Sequence, residues 1–163
     1  MIIVWKSLTV MIFLLLIFQG VVYGAAPSAI DIYNRLHVLQ PGASVKTAYD
    51  MLGSPQETND TPPILLWRLA PDRVIIVFLC NDSIIIRDSV YIETYEQIEF
   101  ARRRYEELKE EIYNILGLPF RETEMISVWF LKDSLYFTMD YAEVNYDNVG
   151  LRFNVTMSFF TSR

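Results

Sequence analysis

The phrase Tyr-Asp-Met-Leu-Gly-Ser-Pro, residues 49–55, returns sixty-four residues later as Tyr-Asn-Ile-Leu-Gly-Leu-Pro, residues 113–119, with four identities in seven. Its chemistry is that of a helix stop. A glycine just past the last helical residue takes the positive φ that other residues resist, and a proline two residues on prevents the helix from resuming. What precedes and follows the two copies is also alike. Each is entered from a helical pattern and followed by a polar gap, an apolar run carrying a tryptophan (Trp67, Trp129) and two further apolar runs. A chain that repeats a unit in this order is expected to fold as two similar modules.

The elements follow from periodicity. Apolar positions Ile32, Leu36 and Leu39, with Ser28 three residues before Asp31, predict a short capped helix over 28–39. Ser44 caps a second helix through Val45, Ala48, Tyr49 and Leu52, ending at Gly53. Glu57 to Pro63 is a polar, proline-rich gap, after which Ile64–Leu69, Val74–Cys80 and Ile84–Ile92 have strand character. Asn81-Asp82-Ser83 is a polar connection suited to a hairpin. In the second half Ile98, Ala101, Tyr105, Leu108, Ile112 and Ile115 form one stripe of a long helix over 94–116. Strands over 126–131, 135–141 and 150–160 follow. The last alternates Leu151, Phe153, Val155, Met157 and Phe159 with Arg152, Asn154, Thr156 and Ser158, so one side is buried and the other wetted.

The expected fold is therefore α+β. Helices cover one face of an antiparallel sheet of about six to eight strands in a two-layer sandwich. It is built from two tandem helix-then-three-strand modules, 25–93 and 94–163, packed as one composite domain. Trp67 and Trp129 are assigned to the helix side.

Residues 1–24 have the layout of a secretory signal peptide, with Lys6 before an apolar run and small residues at Val22 and Gly24. This predicts an exported chain, periplasmic or secreted. The competing reading is an uncleaved N-terminal membrane anchor, because no charge lies between Lys6 and Asp31. Removing 24 of the 163 residues leaves 139, and the loss of Lys6 moves the formal charge from −6 to −7. An acidic chain is a poor nucleic-acid binder, since phosphate recognition needs concentrated Lys and Arg. The basic cluster Arg102, Arg103 and Arg104 is flanked by Glu99, Glu106 and Glu107 and reads as a solvated helix face.

Candidate chemistry is sparse. Cys80 is alone, which precludes an internal disulfide, and its neighbours mark it as a buried strand thiol. His37 reads as a surface or packed helix residue. One His and one Cys make no nitrogen-sulfur metal cluster, and no cofactor is implied. Glu106, Glu107, Glu110 and Glu111 form a charged helix surface. No nucleophile-elbow phrase or phosphate-cradling glycine loop is present. A non-enzymatic binding role is the expectation. Tyr and Arg on strand positions opposite the apolar face suit a protein interface. The residues so assigned are Arg68, Arg87, Tyr91, Tyr136, Asp140 and Arg152, facing a protein partner from the open side of the sheet. Two alternatives stand beside this: a small-ligand or lipid carrier with a pocket between helices and sheet, and an enzyme with an unrecognised site.

The run from Leu36 to Gln56, with the strand bearing Trp67, resembles the small periplasmic modules of the SmpA/OmlA type. Leu39, Gly42, Ser44, Leu52, Gly53, Pro55 and Trp67 stand where those modules carry their L-x-x-G-[ST] and L-G-x-P phrases. The doubled form resembles the β-lactamase inhibitor protein fold. The resemblance implies a helix-plus-sheet module that binds proteins through its open sheet. The chain departs from both families in having neither a cysteine at the leader junction nor a cysteine pair.

Overall fold

The computed structural model describes residues 26–61, 63–80, 84–147 and 149–161. The leader at 1–24 and the connection at 81–83 lie outside the described residues. Helix α1 spans Ala29–Val38 and begins as the capping pattern requires: Ser28 Oγ accepts the Asp31 amide at 3.1 Å. Helix α2, Val45–Leu52, is capped by Ser44 Oγ on the Lys46 amide at 3.2 Å. Helix α3, Ile98–Leu116, buries Ala101, Tyr105, Leu108 and Ile112, the middle of its predicted stripe. Glu111 of α3 accepts the Ala29 amide at 2.8 Å, so an α3 carboxylate satisfies a free donor at the start of α1.

Eight strands form one antiparallel sheet: β1 (Glu57–Asp60), β2 (Pro63–Ala70), β3 (Arg73–Leu79), β4 (Ile86–Tyr95), β5 (Arg121–Glu122), β6 (Ile126–Lys132), β7 (Leu135–Tyr146) and β8 (Gly150–Thr161). Their order is β1-β2-β3-β4-β8-β7-β6-β5. Each half thus lies in chain order from its own edge, and the halves meet where β4 pairs with β8, from Ser89 opposite Phe159 to Tyr95 opposite Phe153.

The two ends of the sheet are built alike in detail. Gly53 closes α2 at φ 76°, ψ −158°, and Gly117 closes α3 at φ 75°, ψ −162°. Only glycine occupies that region readily. Each glycine amide donates back to a tyrosine carbonyl four residues earlier, Tyr49 or Tyr113, at 2.9 Å. Each glycine carbonyl accepts an indole N–H, from Trp67 at 3.0 Å and from Trp129 at 2.9 Å. Tyr49 meets Trp67 edge-on at 6.1 Å, and Tyr113 meets Trp129 edge-on at 5.9 Å. Both tryptophans lie in the helix-side core, as their sequence positions predicted.

Several expected boundaries shift. The gap at 57–63 contains β1, paired from Glu57 opposite Leu66 to Asp60 opposite Pro63. A polar edge strand resembles a loop in composition, because its outer side meets water and hinders pairing with other chains. With β5 in the second half, each half carries four strands rather than three. The strand expected at 84–92 is Ile86–Tyr95, and α3 starts at Ile98 rather than at 94. Cys80, expected within a strand, lies just past β3 and is half-buried. Arg104, expected on a solvated face, is largely buried against Glu93.

The second face of the sheet is not uniformly open. Ile64, Leu66, Val74, Ile76 and Ile92 point away from the helices yet are buried, in a cluster with Tyr146 from the long β7–β8 hairpin. Val144 and Val149 of the same hairpin pack against it. Tyr146 reaches back along this face, its hydroxyl accepting from Asn154 Nδ2 at 2.9 Å.

Two substitutions test this account. Leu108→Ala should lower unfolding free energy by about 2 to 5 kcal/mol in urea titration, because it empties a fully enclosed site. Gly117→Ala should cost about 1 to 3 kcal/mol although an added Cβ would meet no atom within 4 Å, since the backbone angles alone oppose it.

Candidate functional site

The six residues assigned to an open face divide on inspection. Arg68, Tyr136, Asp140 and Arg152 belong to the strand positions facing away from the helices. Arg87 joins them through a bulge: Phe78 pairs with Asp88 but Leu79 with Ile86, leaving Arg87 extra, and its guanidinium lies over the Phe78 ring at 5.4 Å. Tyr91 does not join them. It faces the helices, is buried in the core, and donates its hydroxyl hydrogen to Glu93. The expectation for Tyr91 is therefore corrected: the bulge at Arg87 shifts the alternation by one residue, so Tyr91 and Arg87 fall on opposite sides.

Three of the arginines are already engaged. Arg68 pairs with Glu57, Arg87 Nε with Asp88 Oδ2 at 2.8 Å, and Arg152 with Glu96 at 3.5 Å. Tyr136 is different. Its ring stacks on Phe160 at 5.4 Å and 14°, and Phe130 tilts against it at 5.3 Å. Phe130 is 51% exposed and Ile126, also on this face, is 45% exposed. An aromatic row thus lies on the helix-free face at the second-half end of the sheet.

The edge beside that row carries more apolar surface. Leu118 is 84% exposed and Phe120 is 77% exposed. Phe120 immediately precedes β5, whose partners Ser127 and Val128 lie between Ile126 and Phe130. The matching turn at the other end has Ser54 and Gln56 in the corresponding places. There Gln56 completes the edge: its amide donates to the Leu66 carbonyl at 2.9 Å, and its Oε1 accepts the Arg68 amide at 2.8 Å. A phenylalanine cannot accept that second bond. The glycine geometry and tryptophan anchor are the same at both ends, so the helix stop does not require apolar side chains here. Their exposure is a local feature of one end.

A second group lies on the helix side. Glu93 is fully buried. Tyr91 and Tyr95 donate to its two oxygens, the latter at 2.7 Å. Arg104 Nε donates to Oε2 at 2.9 Å, Arg104 Nη2 to Oε1 at 3.3 Å, and Arg73 Nε lies 3.4 Å from Oε1. Burial by itself would raise the Glu93 carboxyl; the hydrogen bonds from Arg104, Tyr91 and Tyr95 outweigh it, and the pKa falls below its ordinary value. Burial and the neighbouring carboxylate push both tyrosines upward. Arg104 also donates to the Pro27 carbonyl, tying the entry to α1 to the same cluster. Among the described residues, no group of three or more His, Cys, Asp or Glu side chains could hold a metal ion, and no helix is long and apolar enough to cross a membrane.

The aromatic row and edge were not singled out from sequence beyond Tyr136. The available signal was that Leu118 and Phe120 stand in the second turn where Ser54 and Gln56 stand in the first. No protein family, curated protein or solved structure matches the chain.

Glu93 makes a pH prediction. A folded-state pKa below the unfolded value gives stability that is fully present above about 4.5 and is lost as pH falls through the lowered folded value. Glu93→Gln removes the buried counter-charge shared by two arginines and should cost about 3 to 5 kcal/mol near neutrality. The gap between wild type and variant, followed by denaturant unfolding, should narrow as the pH is lowered below about 4.5. A gap unchanged down to acidic pH would contradict the charge assignment.

Proposed function

We propose that this chain is an exported protein-interaction module, a binding protein rather than an enzyme, which docks a partner on the second-half end of its sheet. One observation carries the reading: Leu118 and Phe120 are exposed where the corresponding turn has Ser54 and Gln56. Exposing large apolar groups in water favours association, and the same backbone tolerates polar residues at the other end. Phe130, Tyr136 and Phe160 extend the patch onto the sheet, and stacked aromatics contribute contact area at small entropic cost.

The architecture supports a tandem origin in the same reading. Paired glycines, tryptophans and tyrosines, with bulges between Arg68 and Ala70 and between Phe130 and Lys132, fit two helix-and-sheet modules sharing one sheet. Resemblance to SmpA/OmlA modules and to the β-lactamase inhibitor protein fold belongs with this proposal, as does export through the N-terminal segment. The partner surface differs from the evenly open sheet such a resemblance implies, because the first-half end is buried.

The carrier alternative has its own support in a cavity beneath α1, lined by Pro27, Ile32, Leu69, Ala70, Arg73 and Tyr91 among others.

The test is in-cell crosslinking in the native host from a photoreactive group at Phe160. The Leu118→Ser, Phe120→Gln double variant, which restores the residues of the first turn, should reduce the specific crosslinked product by about tenfold or more. Its unfolding midpoint should stay close to that of wild type, as surface substitutions usually change stability by about 0.5 kcal/mol or less. Equal crosslinking by wild type and double variant would remove the proposal.

A further inference from the structure

The cavity beneath α1 is partly open to solvent and is bounded by elements from four parts of the chain. Pro27 leads into α1, which supplies Ile32 and Arg35; the end of β2 supplies Leu69 and Ala70; β3 supplies Arg73 and Ile75, and β4 supplies Tyr91. Its volume is about 260 Å³. Five of the eight lining residues are apolar, the lining surface is about evenly polar and apolar, and the charged groups among them are Arg35 and Arg73.

Arg73 is the unusual one. Its side chain is only 11% exposed. It lies near two carboxylates, Glu93 Oε1 at 3.4 Å and Asp72 Oδ2 at 3.6 Å, yet it makes no hydrogen bond to either, and its Nε is buried with no acceptor. The contrast is with Arg104, which makes two hydrogen bonds to the same Glu93 and a third to Pro27. A guanidinium carries five donors in a planar fork that matches a carboxylate. Burying one of those donors, Nε, without an acceptor is costly, so an arginine of this kind against a cavity is a place where a bound anion lowers the free energy. Glu93 cannot serve fully, because Tyr91, Tyr95 and Arg104 already occupy its oxygens.

We propose that this cavity binds a small monocarboxylate with a short apolar chain, its carboxylate on the Arg73 guanidinium and its chain against Ile32, Leu69 and Ile75. This goes beyond the protein-binding reading and concerns a different part of the molecule. At roughly 30 Å³ per heavy atom, taken from the share of volume of a liquid water, the space suits a ligand of about eight heavy atoms. Hexanoate is of that size. The same chemistry is presented by a free short-chain acid and by the C-terminal carboxylate of a peptide.

The experiment is isothermal titration of the full chain with acetate, butyrate, hexanoate and octanoate at neutral pH, with hexanamide as the uncharged control. Expected is one-to-one binding that tightens by about fourfold for each added methylene up to hexanoate and then levels off. Hexanamide should bind at least about tenfold more weakly, having lost the charge-assisted pair. Arg73→Gln should weaken hexanoate by a similar factor. Since that change also disturbs Glu93, Ala70→Leu provides a second variant: it fills the cavity while keeping every charged residue of the ion cluster, and should abolish the binding heat. N-acetyl-leucine forms a further arm, tighter binding than hexanoate assigning a peptide terminus as the source and weaker binding a free acid. Absence of saturable heat with every carboxylate, equal binding of hexanamide, or unchanged binding by Ala70→Leu would each overturn the proposal. None of these results bears on crosslinking at the far end of the sheet, so the two readings fail separately.

Discussion

The hydrogen bond from a tryptophan indole to the carbonyl of a helix-terminating glycine is what the rest of this structure depends on. It occurs twice, Trp67 to Gly53 and Trp129 to Gly117. In each case a ψ near −160° turns the carbonyl away from the helix axis and towards the sheet, and the indole meets it. One contact therefore serves several needs. It satisfies the indole N–H of a ring that must be buried to help fill the core, and it gives a helix-end carbonyl a partner. It also fixes how far the helix end stands from the strand. The edge-on tyrosine four residues before each glycine closes the remaining side of the ring. With these distances set, the polypeptide can leave the helix and enter an edge strand within a few residues at both ends.

From that shared frame the two ends diverge, and the divergence is physical. At the first end Gln56 caps an edge amide and Ile64 and Leu66 are buried in a second apolar cluster. The long β7–β8 hairpin completes the cluster through Val144, Tyr146 and Val149, while Asn154 joins Tyr146 to Thr94 through bonds of 2.9 and 3.1 Å. At the second end the corresponding strand positions hold Ile126 and Val128, with Ile126 and the neighbouring Phe130 exposed, and Phe120 stands where a cap would be. One face of one sheet is thus finished internally over half its width, while the other half presents aromatic rings to its surroundings. A polar band of Thr138, Asp140, Thr156 and Ser158 separates the halves, with Thr138 and Ser158 hydroxyls 2.7 Å apart.

Much of this frame was legible in the chain. Glycine before a one-residue gap and proline, serine at two helix starts, and strict alternation along 151–159 each have a narrow physical meaning, and α1, α2, α3 and most strands follow from them. The misses have equally definite causes. Glu57–Asp60 is polar because it is an edge, so composition cannot distinguish it from a loop. Tyr91 was placed on the wrong face because alternation counts residues, and a bulge opposite Leu79 inserts one that the pattern does not mark. Glu93, two residues further on, carried no signal of its own: a carboxylate beside a run of strand residues looks solvated until Arg73 and Arg104, twenty residues before and eleven after, are brought onto it. The exposed Leu118 and Phe120 were visible as letters, but their meaning came from seeing the matching turn hold Ser54 and Gln56 on an equivalent backbone.

The ion cluster shows why a fold without disulfides would keep a charge in its interior. A buried carboxylate is unfavourable unless donors and cations converge on it, and here they come from elements distant in the chain: hydrogen bonds from β4 itself and α3, and the charge of Arg73 from β3. Arg104 extends the link to Pro27, so the entry to α1 is secured by the same guanidinium that neutralises Glu93. An alternative register of β4 that moved Glu93 to the other face would leave Arg104 without its acceptor and expose Tyr91. The cluster therefore penalises misregistered pairings more strongly than an apolar core could, since a slipped leucine loses part of its burial while a slipped carboxylate takes from two buried cations the counter-charge they share. The four side chains that converge on Glu93 are unequal: Tyr91, Tyr95 and Arg104 donate to it, while Arg73 reaches it only as an ion pair and lines the cavity under α1. Specificity of register and an unsatisfied donor beside empty space are thus two consequences of one arrangement, in which one carboxylate is shared among more donors than it can bond.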